Sequence, residues 1–132
     1  MTTIQGTILR FQNEDGDGLY SCFPYPQSFF PNDIQYDTHP SPYRDSLFTK
    51  NAPNDEWCPD FIFGFATLGQ LRAWLYSDGF LMQCYRHGKF CYEFVGEIIL
   101  GHTQAAIRAS SMKMIRQLSL EDLGVDKSLI RY

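Results

Sequence analysis

The spacing of apolar and polar residues changes period several times along the chain. Gly6-Thr7-Ile8-Leu9-Arg10-Phe11 reads as a short strand. Leu9 and Phe11 fall on one face and Arg10 on the other, because successive strand side chains alternate. An acidic glycine turn follows, Asn13-Glu14-Asp15-Gly16-Asp17-Gly18, and then the aromatic Tyr20. Phe61-Ile62-Phe63-Gly64-Phe65 predicts a strand. Thr67-Leu68-Gly69-Gln70 fits a capping box, with Thr67 as N-cap and Gln70 reaching back. Leu71, Trp74 and Leu75 then keep helical spacing to about Ser77. Asp78 caps a second short helix, Gly79 to His87, with Phe80, Leu81 and Cys84 inward. Gly88 stands where a left-handed C-cap belongs.

Phe90 to Val95 alternates as a strand with one aromatic face. Gly96 to His102 reads as a loop or bulged turn. Thr103 to Ala109 is the return strand, with Ala105, Ile107 and Ala109 on one face and Gln104, Ala106 and Arg108 on the other. Met112, Ile115 and Leu118 are spaced for a short helix. Ser119 to Asp122 starts one more turn, which Gly124 ends. The last residues are expected to fray.

All seven prolines lie between Pro24 and Pro59. Residues 24–60 therefore read as a long irregular segment. It also holds Phe23's neighbours Tyr25, Phe29, Phe30, Tyr36, Tyr43, Phe48 and Trp57, which need burial. The segment is expected to be ordered and to wrap over the rest, and ordered loops of this length are commonly functional. The class that follows is α+β. One domain spans residues 1–132, with a small antiparallel-type sheet, short helices and a long ordered loop rich in proline and aromatics.

Composition sharpens this only in part. The 132 residues are 16% aromatic, which excludes a disordered chain. Net charge is −4 and the pI about 5.2, which argues against direct binding to nucleic acid or to anionic membrane. No apolar run spans a bilayer. Met1-Thr2-Thr3-Ile4-Gln5 lacks the features of a signal peptide. A cytoplasmic protein is expected, with Cys22, Cys58, Cys84 and Cys91 as free thiols.

Candidate chemistry is sparse. Asn13, Asp15, Asp17 and Gly18 match the first half of a calcium loop, but Pro24 stands where its glutamate belongs. A polar turn is the plainer reading. Cys84, His87 and Cys91 offer three ligands where structural zinc takes four. A fourth would come from Cys22, Cys58 or His39, so no metal is assigned. His39, in a proline turn, is the histidine least suited to a core. Arg10, on the face opposite Leu9 and Phe11, is free to meet Tyr20 or an anion. Glu93 lies mid-strand among aromatics, which calls for a partner or a cleft. Should the strands pair, Arg10, Glu93 and Gln104 share one face.

Two resemblances follow. I-L-R-F-Q-N-E-D-G-D-G-L-Y, T-H-P-S-P-Y-R-D, F-G-F-A-T-L-G-Q-L-R-A-W-L and G-H-T-Q-A-A-I-R resemble a group of small phage and prophage proteins. The order of parts also resembles the ADP-ribosyltransferase fold. That resemblance implies NAD as cofactor, with Arg10 on its phosphates. Gly18 and Tyr20 stand for the glycine-aromatic element, and Thr67 for a Ser/Thr element. Gln104 fills the late position where the family has its catalytic glutamate, and Glu93 is the nearby carboxylate. Two functions are implied. One is a nucleotide-binding protein that modifies a host or defence protein, with Glu93 or Gln104 in the catalytic role and Arg10, Gly18, Tyr20, His39 and Thr67 holding NAD. The other is a non-enzymatic inhibitor of a bacterial defence system, anti-CRISPR-like, which binds a host or defence protein.

Overall fold

The computed structural model describes residues 1–18, 42–54, 57 and 59–130. Five strands and three helices carry it: β1 (Ile4–Gln12), α1 (Ser46–Asn51), β2 (Phe61–Gly64), α2 (Leu68–Trp74), α3 (Asp78–Arg86), β3 (Phe90–Leu100), β4 (Ala105–Arg108) and β5 (Lys113–Gln117). The fold is α+β, a curled antiparallel sheet with short helices on its outer face. Among the described residues no helix is long and apolar enough to cross a membrane.

β3 is the spine of the sheet. β1 runs along one side of it, from Ile4 opposite Ile98 to Gln12 opposite Phe90. The other side of β3 is shared. Its C-terminal part pairs β4, with Ile98 opposite Ile107, and its N-terminal part pairs β5, with Tyr92 opposite Gln117. β4 in turn pairs β2. The sheet curls until its two ends meet: Leu9 and Phe65 exchange backbone hydrogen bonds of 2.7 and 2.8 Å.

The strand alternation assigns the two faces. Ile8, Phe94, Ile98, Ala105 and Ile107 form a buried cluster inside the curl. The outer face carries two others. Leu9, Phe11, Phe65 and Cys91 pack under Leu71, Leu75, Phe80, Leu81 and Cys84 of the helices α2 and α3. Phe61, Ile99 and Ala106 pack under Phe48 of α1 and Trp57. Each large apolar side chain fully buried this way stabilises the fold by about 1.5–3 kcal/mol before entropy is counted.

Local signals explain most of the helix ends. The Thr67 hydroxyl accepts from the Gln70 N–H at 3.0 Å, as the capping box requires. Gln70 reaches back to the Ala66 N–H at 2.9 Å, one residue before the N-cap. Its amide also donates to the carbonyls of Gly101 and His102, which ties α2 to the β3–β4 loop. Thr67→Ala is expected to cost about 1 kcal/mol in urea unfolding. α3 starts one residue earlier than its sequence suggests. Ser77, not Asp78, is its N-cap, and Asp78 instead holds Arg72 at 2.5 Å. Gly88 adopts φ +77° after the helix, as expected of a left-handed C-cap.

Three expectations are corrected. The strand expected to stop at Val95 runs through Gly96 to Leu100. A Cβ on Gly96 would lie 2.7 Å from the Ser111 hydroxyl oxygen and 2.9 Å from Ile107 Cδ1, so this glycine permits close packing and does not break the strand. Residues 113–117 form β5, not a helix. The register slips between Glu93 and Phe94, and Ile115 is the extra residue of that bulge. The insertion puts Met112, Ile115 and Leu118 at a spacing that imitates a helix. Finally, the described part of 24–60 is not irregular throughout. Pro42–Arg44 form a 3-10 turn, and α1 follows with Asp45 as its N-cap.

A candidate functional site at the open seam

β1 and β2 stay together only where Leu9 meets Phe65. In a continued antiparallel ladder the next bond would join the Phe11 N–H to the Phe63 carbonyl. Arg10 takes that carbonyl instead, donating from Nη1 at 2.7 Å. Its Nε donates to Gln12 Oε1 at 3.2 Å and its Nη2 to the Gly16 carbonyl at 3.4 Å. Burial pushes the guanidinium pKa below its ordinary value, though an arginine stays charged. The guanidinium thus fills the gap where the strands part.

Beside it lies a slot of about 100 Å³. Phe11, Phe63, Gly64, Phe65, Trp74, Arg10 and Gln104 line it. Its walls are chiefly aromatic, and Phe65 and Trp74 meet edge to face at 5.6 Å. Gln104 is 5% exposed. Gly18 lies against Arg10, since a Cβ there would sit 2.9 Å from Nη2. Its carbonyl accepts from Lys89 Nζ at 2.5 Å, and Lys89 is only 2% exposed. Arg10 and Gln104 therefore line one slot, and Gly18 lies against Arg10.

Glu93 does not join them. It stands opposite Leu9, and Arg10 stands opposite Tyr92, so the two side chains leave opposite faces of the sheet. The expected common face is corrected for Glu93. Its carboxylate accepts from Arg116 Nε at 3.2 Å instead. Thr67 lies on that outer side too, in a groove with Thr7, Leu9, Glu93, Arg116 and Asp122. Glu97 is held by the Arg108 guanidinium and the Thr3 hydroxyl, and the Arg108 hydrogen bond keeps its carboxyl below the usual range. Tyr20 and His39 lie outside the described residues. The slot has room for a single ring and not for a whole dinucleotide, whose pockets run to roughly 300 Å³ and more.

The other candidates resolve into structural roles. The Asn13 side-chain oxygen accepts from the Asp15 and Asp17 N–H groups at 3.0 and 2.9 Å. Asn13 Nδ2 donates to Asp17, and Gly16 takes φ +86°. These bonds build the polar turn. Cys84 and Cys91 are buried in the outer core, and His87 is exposed. Burial pushes the Cys91 thiol up to about 12, far from the thiolate that nucleophilic chemistry uses. The Tyr85 hydroxyl bridges the region, donating to the Leu118 carbonyl at 2.6 Å and accepting from the Cys91 N–H at 3.2 Å. Cys22 and Cys58 lie outside the described residues, among which no cluster of three His, Cys, Asp or Glu residues is arranged for a metal ion.

Sequence reasoning missed Asp45. Its carboxylate is 3% exposed and accepts four hydrogen bonds. They come from the N–H groups of Phe48, His102 and Thr103 and from the Thr103 hydroxyl, at 2.8 to 3.0 Å. The signal was an aspartate three residues ahead of a buried phenylalanine, with a proline past the helix end.

A family model described as the bacteriophage T4 Y00F protein matches residues 1–121. No curated protein and no solved structure shows significant similarity to the chain.

Proposed function

Because the chain belongs to the bacteriophage T4 Y00F family, we propose that it is a phage accessory protein that works by binding a host or defence protein. The observation that carries this reading is β5. Among the described residues β5 pairs β3 alone, and all five of its side chains are exposed. Met114 and Ile115 are 56% and 50% exposed. A strand edge offers unpaired backbone groups that an extended segment of another protein completes. Lys113 flanks the apolar pair, which favours a segment carrying an acidic residue. The placement of Glu93 and Arg10 on opposite faces supports binding over transfer of ADP-ribose.

The test is affinity capture from infected cells, with wild type, Ile115→Glu and Arg10→Ala. Ile115 is exposed, so its substitution should change stability by no more than about 0.5 kcal/mol. The expected result is one stoichiometric partner whose recovery falls at least tenfold with Ile115→Glu and holds with Arg10→Ala. A partner indifferent to Ile115→Glu overturns the reading.

The meeting of Arg10 and Gln104 at one slot favours a second reading, in which the protein holds part of a nucleotide such as NAD. A ligand at a hundred times its Kd stabilises by about 2.7 kcal/mol. A melting shift with NAD or ADP-ribose, lost in Arg10→Ala, supports this reading, and no shift with either removes it.

A further inference from the structure

We infer that the slot between β1 and β2 takes one apolar ring with no polar edge, either a free small molecule or the phenylalanine side chain of a peptide. The inference rests on neither reading above. The first argument is the place of the slot in the packing. The outer face of the sheet carries two separate clusters, one holding Phe11 and Phe65 and the other Phe48 and Trp57. Phe63 packs against the second, with its ring 5.3 Å from that of Trp57. Phe11, Phe65 and Trp74 wall the slot from the side of the first cluster, and Phe63 from the side of the second. The slot is the gap between two aromatic cores, and a ring seated in it joins them.

The second argument is that the polar residues lining the slot are already engaged. All three guanidinium nitrogens of Arg10 donate, to Phe63, Gln12 and Gly16. Gln104 Nε2 donates to the Thr103 hydroxyl at 3.5 Å, and the residue makes a further contact. A polar edge entering the slot would give up its water and meet groups that are taken, which costs free energy. An apolar ring gives up nothing and gains by leaving water. Size is the third argument. An enclosed apolar cavity of about 150 Å³ holds benzene. This slot offers about 100 Å³ and is half open to solvent, so one ring enters with part of it left outside.

The chain has two tryptophans. Trp74 lines the slot, and Trp57 packs behind Phe63. Their indole N–H signals in proton NMR report the two places separately. The probes are toluene, uracil, N-acetyl-phenylalanine amide and NAD, each titrated to millimolar concentration. Toluene is expected to move the Trp74 signal more than that of Trp57, and to bind at least tenfold more tightly than uracil. Nuclear Overhauser contacts from toluene to Trp74 and Phe63 place it between the two clusters. Gln104→Met removes the amide at nearly constant length, and it is expected to leave the affinity for toluene within twofold. Tighter binding of N-acetyl-phenylalanine amide than of toluene identifies a peptide as the source, and the reverse a free molecule. Equal affinity for toluene and uracil, or no movement of Trp74 with either, overturns the inference. A tenfold loss of toluene binding in folded Gln104→Met also overturns it, because the amide would then meet the ligand. Displacement of toluene by NAD overturns it in favour of the nucleotide reading.

Discussion

Asp45→Ala is expected to lower the melting temperature by about 15 °C. The substitution leaves three backbone N–H groups, of Phe48, His102 and Thr103, without their acceptor. Hydrogen bonds to a charged group contribute about 1.5–3 kcal/mol each, and buried donors left unpaired add a desolvation cost. A total near 4 kcal/mol is reasonable for such a site. A domain of this size loses roughly 3–5 °C per kcal/mol. Asp45→Asn keeps one acceptor oxygen and should fall about halfway.

The same carboxylate sets a pH dependence. Burial by itself raises its pKa, but the hydrogen bonds from His102, Thr103 and Phe48 outweigh burial and hold it below the ordinary value. A depressed folded-state pKa contributes stability that is present above the unfolded value, near 3.9, and is lost as pH falls through the folded value. Wild type is therefore expected to lose stability below about pH 4 more steeply than Asp45→Asn. Glu97, Asp122 and Asp126 are also depressed, but they titrate in both proteins and cancel in the comparison. Parallel curves for the two proteins would refute the assignment. Gly101→Ala provides a second check, because its Cβ would lie 2.7 Å from Asp45 Oδ2 and 2.5 Å from the Gln104 carbonyl oxygen. Its cost should shrink only in part once Asp45 is already alanine, since the backbone contact remains, and that part is the non-additivity of two residues in contact.

Gly64→Ala is expected to cost about 3 kcal/mol, the upper end for overpacking. The added Cβ would sit 2.6 Å from Ile8 Cδ1 and 2.7 Å from the Leu9 carbonyl oxygen. Ile8 is a side chain and can shift. The Leu9 carbonyl cannot, because it accepts the Phe65 N–H that closes the curl. The strain therefore falls on the seam. Hydrogen exchange should show the Leu9 and Phe65 amides losing protection well beyond the rest of the sheet. Ile8→Val in the same protein should recover only a small part, since the backbone contact remains. Full recovery would mean that the seam is held by side chains and not by the paired backbone.

Much of the architecture was legible where local chemistry decides it. Thr67 and Gln70 announced a helix start, Gly88 a helix end, and the alternation around Arg10 its side of the strand. Reading failed where one residue had two meanings. Gly96 reads as a break and is a point of close packing against Ser111 and Ile107. Ile115 reads as a helix position and is the extra residue of a bulge. Asp45 lay among prolines, and its other partners, His102 and Thr103, are far away in sequence. Nothing near it hints at them. The site was half legible for the same reason. Arg10 and Gln104 line one slot, but the Cα register that sends Glu93 to the other face is a property of pairing, not of either strand alone.

The pairing of β1 with β3 has a consequence for how the protein is made. Ile4 finds its place opposite Ile98, and Leu9 waits for both Glu93 and Phe65. β1 leaves the ribosome before β3 and can complete its pairing only after the spine has emerged. Sheets built on such distant pairs fold slowly, because chain closure comes before its reward. Until then Ile8, Leu9 and Phe11 are an exposed apolar strand on a growing chain, the kind of segment that chaperones hold. Placing β1 after β5 by circular permutation would let it emerge once its partner β3 is already out.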